Sequence, residues 1–284
     1  MEWFHRSLLE HPPETNQTLL TDPLEPHSGE PRYLLFLKTA SSVEWKAVAS
    51  AIKTLVEEAT FEAGTEGLSF RAMDPSHVAL VDLHWPSTSF MKYECEKPYK
   101  FTLRVEDLVK LIGRSDSKDS VEISSTEEDT ISVKFMNGYK REFDIHLIES
   151  SAGPAPLPKL EFDTKVTLTK SIFEKILSDV SVVSDQVTIQ AVGEKLSFSG
   201  KSDIGKAGIE LQKNDADVLE MKVGAESKAT YSIDYLANII RSAGSASDTV
   251  VCNFSTKKPI LLQFALNDLG ARIDFFLAPR VSSE

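Results

Sequence analysis

The stretch Glu66-Gly67-Leu68-Ser69-Phe70 returns as Glu194-Lys195-Leu196-Ser197-Phe198, 128 positions further on. The apolar positions of two predicted helices keep the same interval. Val48, Ile52 and Leu55 match Ile176, Val180 and Val183, while Leu108, Leu111 and Ile112 match Leu236, Ile239 and Ile240. Ile145 and Ile273, near the ends of the two stretches, are spaced alike. A long period that holds in a pentapeptide and in helical stripes is the mark of an internal duplication: one supersecondary unit built twice.

Between the copies runs Glu149 to Phe162, with three prolines in five positions at Pro154, Pro156 and Pro158. Each proline removes a backbone donor, fixes φ and keeps its neighbour extended, so the segment reads as a stiff, polyproline-like strap. Leu157, Leu160 and Phe162 need a surface to lie on. The strap is therefore expected to cross a sheet and wall a groove, the alternative being a plain spacer.

At 284 residues, 41% hydrophobic and 26% charged, the chain has length and composition for two domains with their own cores. Cys95 and Cys252 fall in different copies, which argues for a reducing compartment over a disulfide framework. No apolar run reaches the ~20 residues of a membrane span, and no signal peptide is evident, so a cytosolic or nuclear protein is expected. The net charge of −12 speaks on average against nucleic acid, and the question becomes where the bases sit.

Residues 1–32 are proline-rich without periodicity and read as a disordered extension; Trp3-Phe4 and Leu8-Leu9 could form a docking motif there. Copy one then spans 33–148. A strand from Tyr33 to Lys38 precedes a helix opened by Ser41-Ser42 and running to about Ala59. Strands Leu68 to Met73 and His77 to Trp85 meet at Asp74-Pro75-Ser76. More strand from Phe90 to Leu103 leads to a helix from Val105 to about Gly113. Strands Val121 to Ile123, Ile131 to Phe135 and Phe143 to Ile148 follow, with Asn137-Gly138 a hairpin turn. Copy two, 163–281, repeats the pattern, with helices at Ser171 to Val183 and Ile233 to about Arg241. The fold class is α+β: two tandem copies of antiparallel sheet with two helices each.

Asp74, Ser76 and His77 have the residue types of a hydrolytic triad, but consecutive positions around a turn do not align carboxylate, imidazole and hydroxyl. Asp82 and His84 share a strand face, yet no third metal ligand accompanies them. No metal, cofactor or phosphate-binding glycine loop is expected. Each helix does carry a base opposite its buried stripe: Lys46 and Lys53, Lys110 and Arg114, Lys175, and Arg241. Such sparse bases suit a sequence-blind contact with duplex phosphates; an ordinary solvated face is the alternative.

The run Leu68-Ser69-Phe70-Arg71-Ala72-Met73-Asp74-Pro75-Ser76-His77-Val78-Ala79-Leu80-Val81 resembles the proliferating cell nuclear antigen family of DNA sliding clamps, archaeal members above all. Phe275-Phe276-Leu277-Ala278-Pro279-Arg280 is a second family signature. The resemblance spans about Tyr33 to Val281 and implies a non-enzymatic processivity factor: a homotrimeric ring with an outer sheet and helices lining a hole for double-stranded DNA. It turns Lys46, Lys53, Lys110, Arg114, Lys175 and Arg241 toward that DNA, although Ala47, Ser178 and Val182 stand where relatives are often basic. It also implies that DNA polymerase, flap endonuclease, DNA ligase and a clamp loader dock short peptides. Their groove would be formed by Met73, His77, Val78, Leu157, Pro158, Leu160, Pro259 and Phe276, with Ala278 and Pro279 at one end. Ring closure is placed at Ile131, Val133 and Phe135 against Ile209 and Leu211 of the next subunit. The resemblance makes the location cytoplasmic in an archaeon and nuclear in a eukaryote. Three alternatives stay open: a subunit of a heteromeric or checkpoint clamp, an acidic peptide-binding scaffold that encircles nothing, and a hydrolase using Asp74 or His77.

Overall fold

Residues 32–149, 153, 155–243 and 247–280 are described by the computed structural model. The expectation for residues 1–32 falls, but for Arg32, outside them. Copy one runs β1 (Leu35–Thr39), α1 (Val43–Lys53), β2 (Glu58–Gly64), β3 (Gly67–Met73), β4 (Ala79–Pro86), β5 (Lys92–Glu94), β6 (Tyr99–Arg104), α2 (Val105–Ile112), β7 (Ser120–Glu127), β8 (Thr130–Asn137) and β9 (Tyr139–His146), with a 3-10 turn at Ser87–Ser89. Copy two runs β10 (Thr164–Thr169), α3 (Lys170–Ser181), β11 (Gln186–Val192), β12 (Lys195–Ser202), β13 (Gly205–Gln212), β14 (Val218–Val223), β15 (Ser227–Ser232), α4 (Ile233–Ala243), β16 (Thr249–Phe254), β17 (Ile260–Ala265) and β18 (Arg272–Leu277). The order of strands and helices is the same twice over.

Local sequence explains most of these elements. Alternation buries Ala59, Phe61 and Ala63 of β2 and Val187, Ile189 and Ala191 of β11. Helical spacing buries Leu108, Leu111 and Ile112 of α2, and Thr169 caps α3 by accepting from the Ile172 N–H at 3.4 Å. The first helix ends at Lys53, short of the expected Ala59. Ala59 belongs to β2, where the alternation that starts at Glu58 outweighs continuation of the helical stripe.

Three antiparallel sheets result, ordered β5-β1-β7-β8-β9, β14-β10-β16-β17-β18-β4-β3-β2-β6 and β13-β12-β11-β15. The nine-stranded sheet crosses from one copy to the other through β4 and β18, registered from Ala79↔Leu277 to His84↔Arg272. On one face, α1 packs against α2 and α4, and α3 against α4, giving a helix layer in the order α2-α1-α4-α3. Beneath α1, Trp45 meets Trp85 at 4.8 Å and Phe61 at 6.4 Å between ring centroids. Truncating any one of these rings to alanine costs about 3–5 kcal/mol.

The pairing corrects the expected subunit contact. Ile131, Val133 and Phe135 lie on β8, which is paired on both sides, and they are buried. A strand with both ladders filled offers no edge. That sheet ends in two edge strands, β5 and β9, and β9 pairs only with β8 among the described residues. Ile209 and Leu211 lie on β13, likewise paired only with β12.

The structure also corrects how the ends of the copies match. Phe135 and Phe264 occupy equal places, and they pair with Arg141 and Ile273 respectively. Ile273 therefore corresponds to Arg141, and Ile145 to Leu277. The β8–β9 turn is Gly138 alone, at φ 79°, whereas residues 266–271 join β17 to β18, and the longer loop shifts the interval.

Candidate partner groove and helix face

Of the six bases singled out, Lys53, Lys110, Arg114, Lys175 and Arg241 are exposed. Lys46 is half-buried, and its Nζ donates to the Ser115 carbonyl at 2.7 Å, just beyond the end of α2. An ammonium there satisfies a carbonyl near the negative pole of a helix, so Lys46 serves packing of α1 on α2 and is not an open phosphate contact. Lys110 is held by Glu106 at 2.7 Å, one turn earlier, and that partner raises its pKa. The exposed side of the helix layer is thus sparsely basic, with Glu106, Asp107 and Asp234 interspersed.

On the opposite face of the long sheet, register places four apolar side chains in a row: Met73, Leu80, Phe276 and Leu261, on β3, β4, β18 and β17. Leu80 and Leu261 were missed in the sequence. Their only signal is that Leu80 alternates in step with Asp82 and His84, and that Leu261 lies two positions after Pro259. A cleft of about 750 Å³ opens beside this row between β2, β3 and strap residues Gly153, Ala155 and Pro156. Met73 and His77 line it; the other eight expected groove residues do not. Leu157 is 43% exposed on the strap, Pro158 and Leu160 are half-buried, and so are Val78, Pro259, Phe276, Ala278 and Pro279. The Ala278 N–H donates to the Val78 carbonyl at 2.9 Å, which ties the C-terminal segment to the turn after β3.

That turn is organised by Asp74. Its buried carboxylate accepts from the backbone N–H groups of Ser76 (3.1 Å), Val78 (2.7 Å) and Ala79 (2.6 Å), and from the Tyr235 hydroxyl of α4 at 2.9 Å. Burial alone would raise the Asp74 pKa, but the bonds from Ala79, Tyr235, Val78 and Ser76 outweigh it and hold the carboxyl below its ordinary value. His77 is exposed and takes up a left-handed backbone at φ 58°. Both Asp74 oxygens are spent on the turn and on α4, so the geometry is that of a structural tie between the copies, not of a triad. The Cys252 thiol is pushed up by burial, as is that of Cys95. Neither is poised as a nucleophile. Among the described residues, no group of three His, Cys, Asp or Glu is placed to hold a metal ion.

A β-rich unit built twice, with four helices in one layer and one sheet spanning both copies, defines the class of two-copy clamp folds. Comparison with known proteins agrees. The model of the proliferating cell nuclear antigen N-terminal domain matches residues 35–150, and that of its C-terminal domain residues 156–280. The chain is 48% identical over 246 residues to a DNA polymerase sliding clamp of Cenarchaeum symbiosum, covering 87% of this chain and 98% of that one. It is 47% identical to a DNA polymerase sliding clamp of Nitrosopumilus maritimus, with the same coverage. A crystal structure of PCNA from Thermococcus kodakaraensis superposes with a TM-score of 0.82 at 25% identity, covering 87% of this chain and all of that one. The chain belongs to the proliferating cell nuclear antigen family.

Proposed function

We propose that this protein is a DNA sliding clamp: copies of the chain close head to tail into a ring around double-stranded DNA and tether a DNA polymerase to it. The observation that carries the reading is the relation between the β4·β18 junction and two of the edge strands, β9 and β13. Phe70 and Phe198 hold equal places and pair with Leu83 and Ile209, so β13 of copy two corresponds residue for residue to β4. Likewise β9 corresponds to β18. The pairing that joins the copies within one chain is therefore available between chains, β9 of one to β13 of the next. Transferred register by register, it sets Phe143 opposite Ala207, Arg141 opposite Ile209, Lys140 opposite Glu210 and Asp144 opposite Lys206. Both charge pairs are complementary. The helix layer continues in the same step, α3 meeting the neighbour's α2 as α1 meets α4. Such heterologous contacts close into a ring when the rotation is right, and the family resemblance puts the number of subunits at three.

The helix layer then faces DNA with few bases, so retention is topological and affinity for open duplex weak. Polymerase, clamp loader, flap endonuclease and DNA ligase are read as docking short peptides in the row Met73, Leu80, Phe276 and Leu261 beside the strap, where an apolar plug is desolvated. Light scattering on the purified chain tests the ring. A mass near three times the 31.5 kDa protomer supports self-closure. A monomer at all concentrations overturns it in favour of unlike subunits.

A further inference from the structure

The cleft beside the strap is more than an extension of the apolar row. Met73 and Arg71 alternate on β3 and so point to the same face, about 7 Å apart along the strand. Arg71 lines the cleft, with its side chain 32% exposed. Opposite it on β4 stands Asp82, whose Oδ1 accepts from Arg71 Nε at 2.9 Å. That bond pins the guanidinium plane. The two Nη groups have no protein partner among the described residues, which leaves a fixed pair of donors facing the cleft.

Such a fork matches one kind of group, a planar anion that accepts two parallel hydrogen bonds. Among the described residues, the other basic side chain lining the cleft is His77. Of the acids there, Asp82 is already spent on Arg71 and Glu62 is paired with Lys100 at 2.5 Å. Glu57 adds negative potential, so an incoming anion gains by direct contact with the fork and not by general attraction.

Resting on the reading of the apolar row as a peptide groove, we infer that Arg71 forms a second subsite, which takes a side-chain or terminal carboxylate of the docked peptide within about 7 Å of its apolar plug. Asp82 is the positioning residue. The subsite selects among partners that share the plug and differ in the residue beside it.

The test uses fluorescein-labelled peptides that share one glutamine and one aromatic plug and carry a single Glu at successive positions flanking the plug, each matched by its Gln isostere. Binding is read by anisotropy on the full-length protein and on R71Q and R71K. At one position the Glu peptide should bind about tenfold tighter than its Gln partner at low salt. That ratio should fall to one in R71Q, recover only in part in R71K, and shrink at high salt, while the Gln peptide binds all three proteins alike. A Glu-to-Gln ratio that is the same in R71Q as in the wild type at every position overturns the subsite and leaves the groove standing. Tighter binding of a Lys peptide at those positions overturns it also, in favour of the acidic lining at Glu57. If no peptide binds at all, the groove itself falls and the subsite with it.

Discussion

The joint inside the chain and the joint proposed between chains are two versions of one pairing, and they differ in what they bury. Within the chain, β18 brings Ile273, Phe275 and Leu277 against Ala79, Val81 and Leu83 of β4, all fully buried or nearly so. At the open edges the corresponding residues are Arg141, Phe143 and Ile145 on β9, and Gly205, Ala207 and Ile209 on β13. Arg141 is bonded to Asp119 and to the Arg114 carbonyl, yet its Nε and Asp119 Oδ1 have no partner among the described residues. Phe143 is 38% exposed. One joint is apolar and reinforced by Asp74–Tyr235. The other, as proposed, is more charged and its polar groups are incompletely satisfied among the described residues.

The sharpest way to break the comparison is at Phe143. Phe143→Asp puts a charge at the centre of the β9 edge and should convert the ring wholly to monomer by light scattering, while circular dichroism and the melting cooperativity of the protomer stay unchanged. If the mass stays that of the ring, the edges have been paired wrongly. Asp74→Asn attacks the other joint. It should cost about 2 kcal/mol at pH 7, because an amide cannot accept all four bonds. The sign follows from the lowered pKa: stability supplied by the Asp74 carboxylate is fully present above its unfolded value near 4 and is lost as pH falls through the lower folded value. Denaturant melts of wild type and variant should therefore converge as pH falls below the unfolded value, and a gap undiminished in acid would rule out the charge as the cause.

A smaller effect tests the register. Lys206→Glu should weaken assembly about tenfold by placing a like charge opposite Asp144, and Asp144→Lys in the same chain should restore it. Failure of the charge swap to rescue would show the register to be off by two. The smallest effect concerns Asp274, which faces Asp82 across the intrachain joint. Burial raises its pKa and Asp82 adds to the rise, while Arg272 and Gln263 oppose it. A raised carboxyl contributes stability that is present below the unfolded value and lost as pH rises through the folded one. Asp274→Asn should accordingly leave the protein unchanged or up to about 1 kcal/mol more stable at pH 7 and flatten the dependence, the reverse of Asp74→Asn.

The duplication, all four helices and the turn at Asn137-Gly138 were legible in the sequence because each is a local pattern: a period, a stripe, a residue that tolerates positive φ. Pairing order was not. The apolar alternation of β8 reads equally as an edge or as a centre, and only the neighbours decide. A constant interval misplaced Ile145 because it cannot see a lengthened loop. Lys46 looked solvated from periodicity, since nothing local foretells a carbonyl 69 residues away, and the sequence, having set a triad at Asp74 aside, offered no structural role for it because its partner on α4 lies 161 residues on. Met73, His77, Arg71 and Leu80 all stand in the signature run, but that Leu80 and Leu261 fall in one row with Met73, and that Arg71 is held by Asp82, emerges only when the strands are laid side by side.

The nine-stranded sheet has a mechanical consequence. Its ladder runs unbroken from β14 to β6 through both copies, so a protomer behaves as one stiff plate and its middle is no hinge. Compliance is confined to the places where one plate ends and the next begins. In the ring proposed above, parting one seam would leave the plates flat and the remaining seams to hold. An opener that grips a single seam needs to supply only the free energy of that seam, and the plates, undeformed, store none of it.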